Sequence, residues 1–157
     1  MRIAGTLACS LVNGEGIRYV IFLQGCPHHC DGCQNPDTWD YSGGFEHSID
    51  DLVDDIRHRL PLIDGITLSG GEPFVQQDEC VELLKKIREF PDYLNVWIYT
   101  GYLYEDICDT TLASMADYIV DGRFEEDKRV VGKFYGSSNQ RIIDTFTGED
   151  VKERFEE

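Results

Sequence analysis

Residues 18–35 read Arg18-Tyr19-Val20-Ile21-Phe22-Leu23-Gln24-Gly25-Cys26-Pro27-His28-His29-Cys30-Asp31-Gly32-Cys33-Gln34-Asn35. The first seven, RYVIFLQ, are β-branched and aromatic, the composition of a buried strand. Gly25 ends that strand and opens a loop in which three thiols fall within eight residues. The same plan recurs downstream. Gly65-Ile66-Thr67-Leu68-Ser69 is a short strand that stops at Gly70-Gly71, and Leu94 to Tyr99 (LNVWIY) is closed by Thr100-Gly101. Tyr118 to Asp121 is a fourth strand.

Helical patterns separate these strands. Ser48 is placed as an N-cap with Asp51 three residues on, and Ile49, Leu52, Val53, Ile56 and Leu60 recur at helical spacing until Pro61 stops them. A second helix is expected from about Gln77 to Phe90, with Cys80, Leu83, Leu84, Ile87 and Phe90 on one face and Pro91 at its end. Leu103 to Met115 reads as helical but broken near Asp109, and the remainder is less regular. Strands alternating with helices imply parallel βαβ units. In such folds chemistry gathers at the carboxyl ends of the strands. The cysteine loop, Gly70-Gly71 and Thr100-Gly101 should therefore meet at one end of one sheet.

A closed eight-fold barrel takes about 250 residues, and this chain has 157. The expected fold is α/β, an open, partial (βα) barrel with a mainly parallel sheet in a single domain over residues 1–157. An open concave face favours a bulky substrate. The segment from about 148 to 157 is acidic and is expected to be a solvated end.

The formal net charge is −16, which repels phosphate backbones and argues against a nucleic-acid partner. No apolar run reaches the roughly eighteen residues that span a bilayer, so no membrane partner is expected. The N-terminus lacks the apolar stretch of a signal peptide. Those features place the chain in the cytoplasm, where thiols stay reduced, and its six cysteines read as ligands or core residues rather than bridges.

Three cysteines in one loop after a strand favour an iron–sulfur cluster, whose usual protein ligands are thiolates. Cys26, Cys30 and Cys33 can occupy three irons of a cubane and leave the fourth open. Structural zinc needs a fourth ligand, which would have to be His28, His29, Cys9 or Cys80. A dithiol pair, Cys30-Asp31-Gly32-Cys33, leaves Cys26 unexplained. Chance clustering is the remaining alternative.

Cys-x3-Cys-x2-Cys after the first strand, with Gly70-Gly71-Glu72-Pro73 after a later one, resembles the radical S-adenosylmethionine superfamily. The resemblance implies a [4Fe–4S] cluster on Cys26, Cys30 and Cys33 whose open iron binds S-adenosylmethionine. One electron then enters the sulfonium and a 5′-deoxyadenosyl radical forms. It implies that main-chain groups of Gly70, Gly71, Glu72 and Pro73 hold the amino group of that nucleotide, with Gly32, Cys33 and Gln34 along it. Many members carry an aromatic where Gly32 stands, so the adenine contact must come from elsewhere. No side chain is assigned a catalytic role.

The resemblance extends over nearly the whole chain. Its further elements are Asn13 to Arg18, Asn35-Pro36-Asp37-Thr38-Trp39, Trp97 to Tyr102, Val120-Asp121-Gly122-Arg123-Phe124 and Gly136-Ser137-Ser138-Asn139-Gln140-Arg141. In that order they are similar to the activating proteins of anaerobic (class III) ribonucleotide reductases. The implied activity is an oxidoreductase that abstracts hydrogen from a glycine of the reductase large subunit, leaving a glycyl radical. Flavodoxin or ferredoxin is the implied electron donor. Alternatives are an activase of a formate-lyase-type enzyme, another small radical enzyme, an electron carrier or a zinc-binding module. The chain departs from the family where Glu15 replaces a common proline and Tyr135 a frequent arginine, neither expected to touch the cluster. Cys9, Cys80 and Cys108 read as small core residues, and His28 and His29 as exposed loop residues. Trp39, Trp97 and Tyr99 read as core, with Tyr99 nearest the site by position, and Arg18 and Arg123 as partners of carboxylates.

Overall fold

The computed structural model describes residues 1–156. Four strands carry the parallel centre: β2 (Arg18–Leu23), β4 (Gly65–Gly70), β5 (Asn95–Tyr99) and β6 (Tyr118–Asp121). They lie side by side in that order, each parallel to the next. Register keeps their carboxyl ends level: Leu23 faces Gly70, Leu68 faces Ile98 and Tyr99 faces Val120. Four additional strands extend the sheet antiparallel on both flanks. These are β1 (Arg2–Ser10) and β3 (Phe45–Glu46) beyond β2, with β7 (Arg141–Asp144) and β8 (Glu149–Asp150) beyond β6. The sheet is thus an open, partial barrel whose edges, β3 and β8, are not paired with each other among the described residues.

The parallel strands alternate cleanly between two cores. Tyr19, Ile21, Leu23, Ile66, Leu68, Val96, Ile98 and Ile119 point to one face and pack on the helices. The first helix, α1 (Ile49–His58), starts where Ser48 Oγ accepts the Asp51 amide at 3.2 Å and buries Leu52, Val53 and Ile56. The second, α2 (Gln77–Ile87), buries Cys80, Leu83, Leu84 and Ile87. The broken helical stretch is two short helices, α3 (Tyr104–Ile107) and α4 (Thr111–Ser114), the latter capped by Thr110. None of these helices is long and apolar enough to cross a membrane.

The other face holds Trp97 and Val120 with Tyr99 and Tyr118, and among the described residues no α-helix covers it. Loops and the short 3-10 turn Lys152–Phe155 do so instead. Asn13 O accepts the Thr67 hydroxyl at 2.7 Å, Phe134 and Tyr135 pack from one side, and Val151 and Phe155 from below. Arg18 is buried on this face, where its guanidinium donates to Thr67 Oγ1, Glu15 O, Ile66 O and Asn95 O at 2.7–2.8 Å. Three carbonyl oxygens and one hydroxyl, not the expected carboxylates, are its partners. Burial lowers its pKa to about 10.

The C-terminal segment, expected to be solvated, is exposed at residues 148–150 and 153–154 but is anchored to the fold. Glu149–Asp150 pairs with β7, Val151 is buried, and the Phe155 ring meets Trp97 edge-on at 5.2 Å. The acidic composition concealed two apolar residues placed to fill the inner core.

Candidate functional site

The loops that leave β2, β4, β5 and β6 all emerge at the same edge of the sheet, as the level register requires. Together with residues 130–136 they enclose a cleft of about 410 Å3, within the roughly 300–1,000 Å3 typical of small-molecule sites. Cys26, Cys30 and Cys33 line it, with Gln34, Gly70, Gly71 and Glu72. Gly32 and Pro73 are not on its walls.

One buried carboxylate ties three of these loops together. Glu72, 1% exposed, accepts His28 Nε2 at 2.6 Å, the Thr100 hydroxyl at 2.8 and 2.9 Å, and the amides of Gly101 at 2.8 Å and Phe74 at 3.2 Å. The amides of Gly71 and Glu72 bond Leu23 O and Gly25 O at 2.9 and 2.8 Å. The cysteine loop, the Gly-Gly turn and the end of β5 therefore form one hydrogen-bonded unit. His28 is buried in it, contrary to its expected exposure; its ring meets Tyr102 edge-on at 4.6 Å. Gly101 is required here, since a Cβ would lie 2.4 Å from His28 Cδ2.

The thiols are unbridged. Burial pushes the Cys26 and Cys30 thiols up, with backbone amides offsetting part of the effect. Cys80 is fully buried in the helix-side core, where burial raises its thiol strongly. Among the described residues, no three His, Cys, Asp or Glu side chains converge tightly enough for a single metal ion. Three thiols along one cleft wall are the donor type that iron–sulfur clusters use.

Gly32 is explained by its surroundings. Its φ is +73°, a Cβ would fall 1.8 Å from Glu126 Oε2, and its carbonyl accepts Arg129 Nη2 at 3.3 Å. The Glu126–Arg129 pair occupies the space where an aromatic side chain would lie.

The block from Gly136 to Arg141 builds the far wall. Gln140 Oε1 accepts the amides of Gly136 and Ser137 at 2.8 and 3.1 Å, while its Nε2 donates to Gly122 O at 2.9 Å. Asn139 donates to Arg123 O at 2.8 Å. Arg141 bonds buried Asp121 and also Glu105. Tyr135 lines the cleft, a position not foreseen for it. It is 8% exposed, donates to Glu156, and has Lys152 Nζ 4.8 Å from its ring centroid. Tyr99 also lines the cleft, and its hydroxyl holds Phe134 O at 2.5 Å.

Further cleft residues escaped sequence reasoning as site members, among them His28 and Trp39. His28 pairs with a residue 44 positions away, and Trp39 reaches the site only because Gly25 and Cys26 bond the carbonyls of Thr38 and Trp39 at 2.6 and 3.2 Å. The sole local signal was their nearness to the cysteines.

A family model described as "4Fe-4S single cluster domain" matches residues 12–143. The anaerobic ribonucleoside-triphosphate reductase-activating protein of Enterobacteria phage T4 is 35% identical over 138 residues, covering 85% of this chain and 88% of that one. The protein of the same name from Pasteurella multocida (strain Pm70) is 33% identical over 147 residues, covering 87% and 92%. That of Escherichia coli (strain K12) is 32% identical over 140 residues, covering 84% and 91%. A solved structure, QueE from Escherichia coli, overlays with a TM-score of 0.46 at 21% identity, covering 64% of this chain and 51% of that one. The match to that family model over most of the chain, with these relatives, defines an iron–sulfur enzyme. Within that class, the chain belongs to the family of anaerobic ribonucleoside-triphosphate reductase-activating proteins.

Proposed function

We propose that this chain activates an anaerobic ribonucleotide reductase by cleaving S-adenosylmethionine at a [4Fe–4S] cluster and removing hydrogen from a glycine of the reductase large subunit. The observation that carries the reading is the meeting of three unbridged thiols and the Gly70-Gly71 turn in one cleft. Cys26, Cys30 and Cys33 would hold the cluster. When bound and reduced, the cluster supplies the electron that splits a carbon–sulfur bond of S-adenosylmethionine.

The chain's own residues then bind and orient. Main-chain oxygens of Gly70 and Gly71 would accept the ammonium of the methionine moiety, because the neighbouring amides are already bonded to Leu23 and Gly25. Gln34 flanks the nucleotide from the cysteine loop. Glu72 acts through the loops it fastens rather than by touching the ligand, and Gly32 and Pro73 shape the turns that flank the cleft. Val12 and Val131, 72% and 85% exposed and both at the cleft, would meet the reductase segment that carries the glycine. A cytoplasmic flavodoxin or ferredoxin would deliver the electron.

The test is anaerobic reconstitution with iron and sulfide, then incubation with S-adenosylmethionine, a strong reductant and the partner reductase. The expected result is near four iron and four sulfide per chain, release of methionine and 5′-deoxyadenosine, and a glycyl radical signal in electron spin resonance. A four-iron protein that leaves S-adenosylmethionine intact with partner and reductant present would overturn the proposal.

A further inference from the structure

We propose that the indole N–H of Trp39 donates a hydrogen bond to a sulfur of the cluster and thereby raises its reduction potential. This rests on the cluster reading given above for Cys26, Cys30 and Cys33.

Trp39 Nε1 is buried and has no hydrogen-bond partner within the protein. An indole nitrogen is a donor only, so no change of tautomer relieves it. A buried donor left unmet costs about 1–3 kcal/mol, and native structures rarely keep one without a partner. His28 Nδ1 is also buried and unpartnered. With Nε2 donating to Glu72, the neutral ring presents a lone pair at Nδ1, which cannot donate to sulfur. Trp39 is therefore the sharper signal.

Its position fits an acceptor on the cluster. Trp39 lines the cleft beside the three cysteines. The chain delivers it there through the short 3-10 turn Pro36–Thr38, which is stitched to the loop at both ends. Asn35 N donates to Cys33 Sγ at 3.3 Å, and Trp39 O accepts the Cys26 amide at 3.2 Å. The indole is then clamped from one side. His29 stacks on it with ring centroids 4.6 Å apart and planes 6° apart. His29 is the one non-glycine residue with positive φ, +49°, among the described residues. Backbone in that region costs a side chain roughly 1–3 kcal/mol and persists only where surroundings impose it. Here the strained residue is the one that fixes the plane of the indole.

Thiolates and sulfides carry the charge that such a donor seeks. Reduction adds one more negative charge, so an N–H aimed at sulfur favours the reduced form, and hydrogen bonds to sulfur are a recognised determinant of cluster potential. Trp39 is thus a positioning residue for the electron rather than a group that reacts.

The experiment uses reconstituted chain without S-adenosylmethionine. Trp39→Phe keeps a flat ring against His29 and removes the N–H. Iron and sulfide per chain should stay at the wild-type level, while the potential moves negative by about a tenfold change in the reduction equilibrium, ~59 mV for one electron. An unchanged potential overturns the proposal; if a separate titration of the same variant with S-adenosylmethionine then shows weakened binding, the donor belongs to the nucleotide instead. Should the variant fail to take up iron, wild-type protein labelled with 15N-tryptophan decides. The chain has two tryptophans, and Trp97 belongs to the inner core rather than the cleft walls. Pulsed electron spin resonance of the reduced cluster should show coupling to one 15N. A cluster without that coupling overturns this inference alone, whereas a wild-type chain that forms no cluster overturns the cluster reading as well.

Discussion

Replacing Glu72 should loosen the whole mouth of the cleft even in protein without its cluster. The carboxylate is buried and accepts from His28, Thr100, Gly101 and Phe74, donors on three different loops. Hydrogen bonds to a charged group contribute about 1.5–3 kcal/mol each, and they do not add. Truncating the carboxylate leaves its buried donors unmet, at about 1–3 kcal/mol each. Glu72→Ala should therefore lose about 4 kcal/mol, a large share of the roughly 5–15 kcal/mol that holds such a domain folded. Glu72→Gln keeps one oxygen. Placed at Oε1 it still serves His28, Thr100 and Gly101; the new NH2 at the other position meets the Thr100 oxygen, which can accept from it, and the Phe74 amide, which cannot. Its loss should be about 1–3 kcal/mol. Urea unfolding of the cluster-free chain under reducing conditions reads both, and the order wild type, Gln, Ala is expected. A cycle with His28→Ala should show coupling of about 1 kcal/mol or more. An alanine variant within about 0.5 kcal/mol of wild type, the range of ordinary surface changes, would refute the reasoning.

Further outcomes follow from other parts of the molecule. Cys26→Ala, Cys30→Ala and Cys33→Ala should each fail to retain four iron by metal analysis, whereas Cys80→Ala should retain it and lose only about 1 kcal/mol of packing. Gly32→Ala, at φ +73° and against Glu126, should cost about 1–2 kcal/mol in urea unfolding, with Glu126→Ala relieving only the collision. Phe155→Ala opens the inner core beside Trp97 and should cost about 2–3 kcal/mol without changing iron content. Tyr19 donates to Asp55 at 2.5 Å, and burial first, then that bond, raises its pKa from 10.0 to about 12. A raised pKa stabilises the fold below pH 10 and loses that contribution as pH climbs from 10 to 12. The stability difference between wild type and Tyr19→Phe should therefore be flat below pH 10 and narrow above it; a difference that grew would contradict the assignment.

The parallel centre was legible because its residues obey local rules. Val20, Ile21, Ile66, Leu68, Val96 and Ile98 are fully or almost fully buried, and apolar runs bounded by glycine mark such strands. Both main helices kept their spacing, but each ends early: α1 at His58, before Leu60, and α2 at Ile87 rather than Phe90. β1 was not legible: only Ile3 and Ser10 of its nine residues are buried and its pairing with β2 shifts register twice, so no alternation is visible. β7 and β8 hid in a polar stretch that becomes sheet only by pairing with β6 and with each other. In the site, the three cysteines and Gly70-Gly71 announced themselves by residue type and spacing. The burial of His28, the filling of the space beside Gly32 by Glu126, and the turn of Trp39 into the cleft depend on contacts between distant segments. Composition carries no trace of them.

The sheet separates two interiors that share little but its strands. Helices complete one, while Phe134, Tyr135, Val151 and Phe155 complete the other from loops and a short turn. Exchanging what covers the concave side leaves the helical side's packing as it was. The same platform could accordingly be refitted for a differently shaped visitor by grafting residues 130–136 alone, with no redesign of the frame beneath.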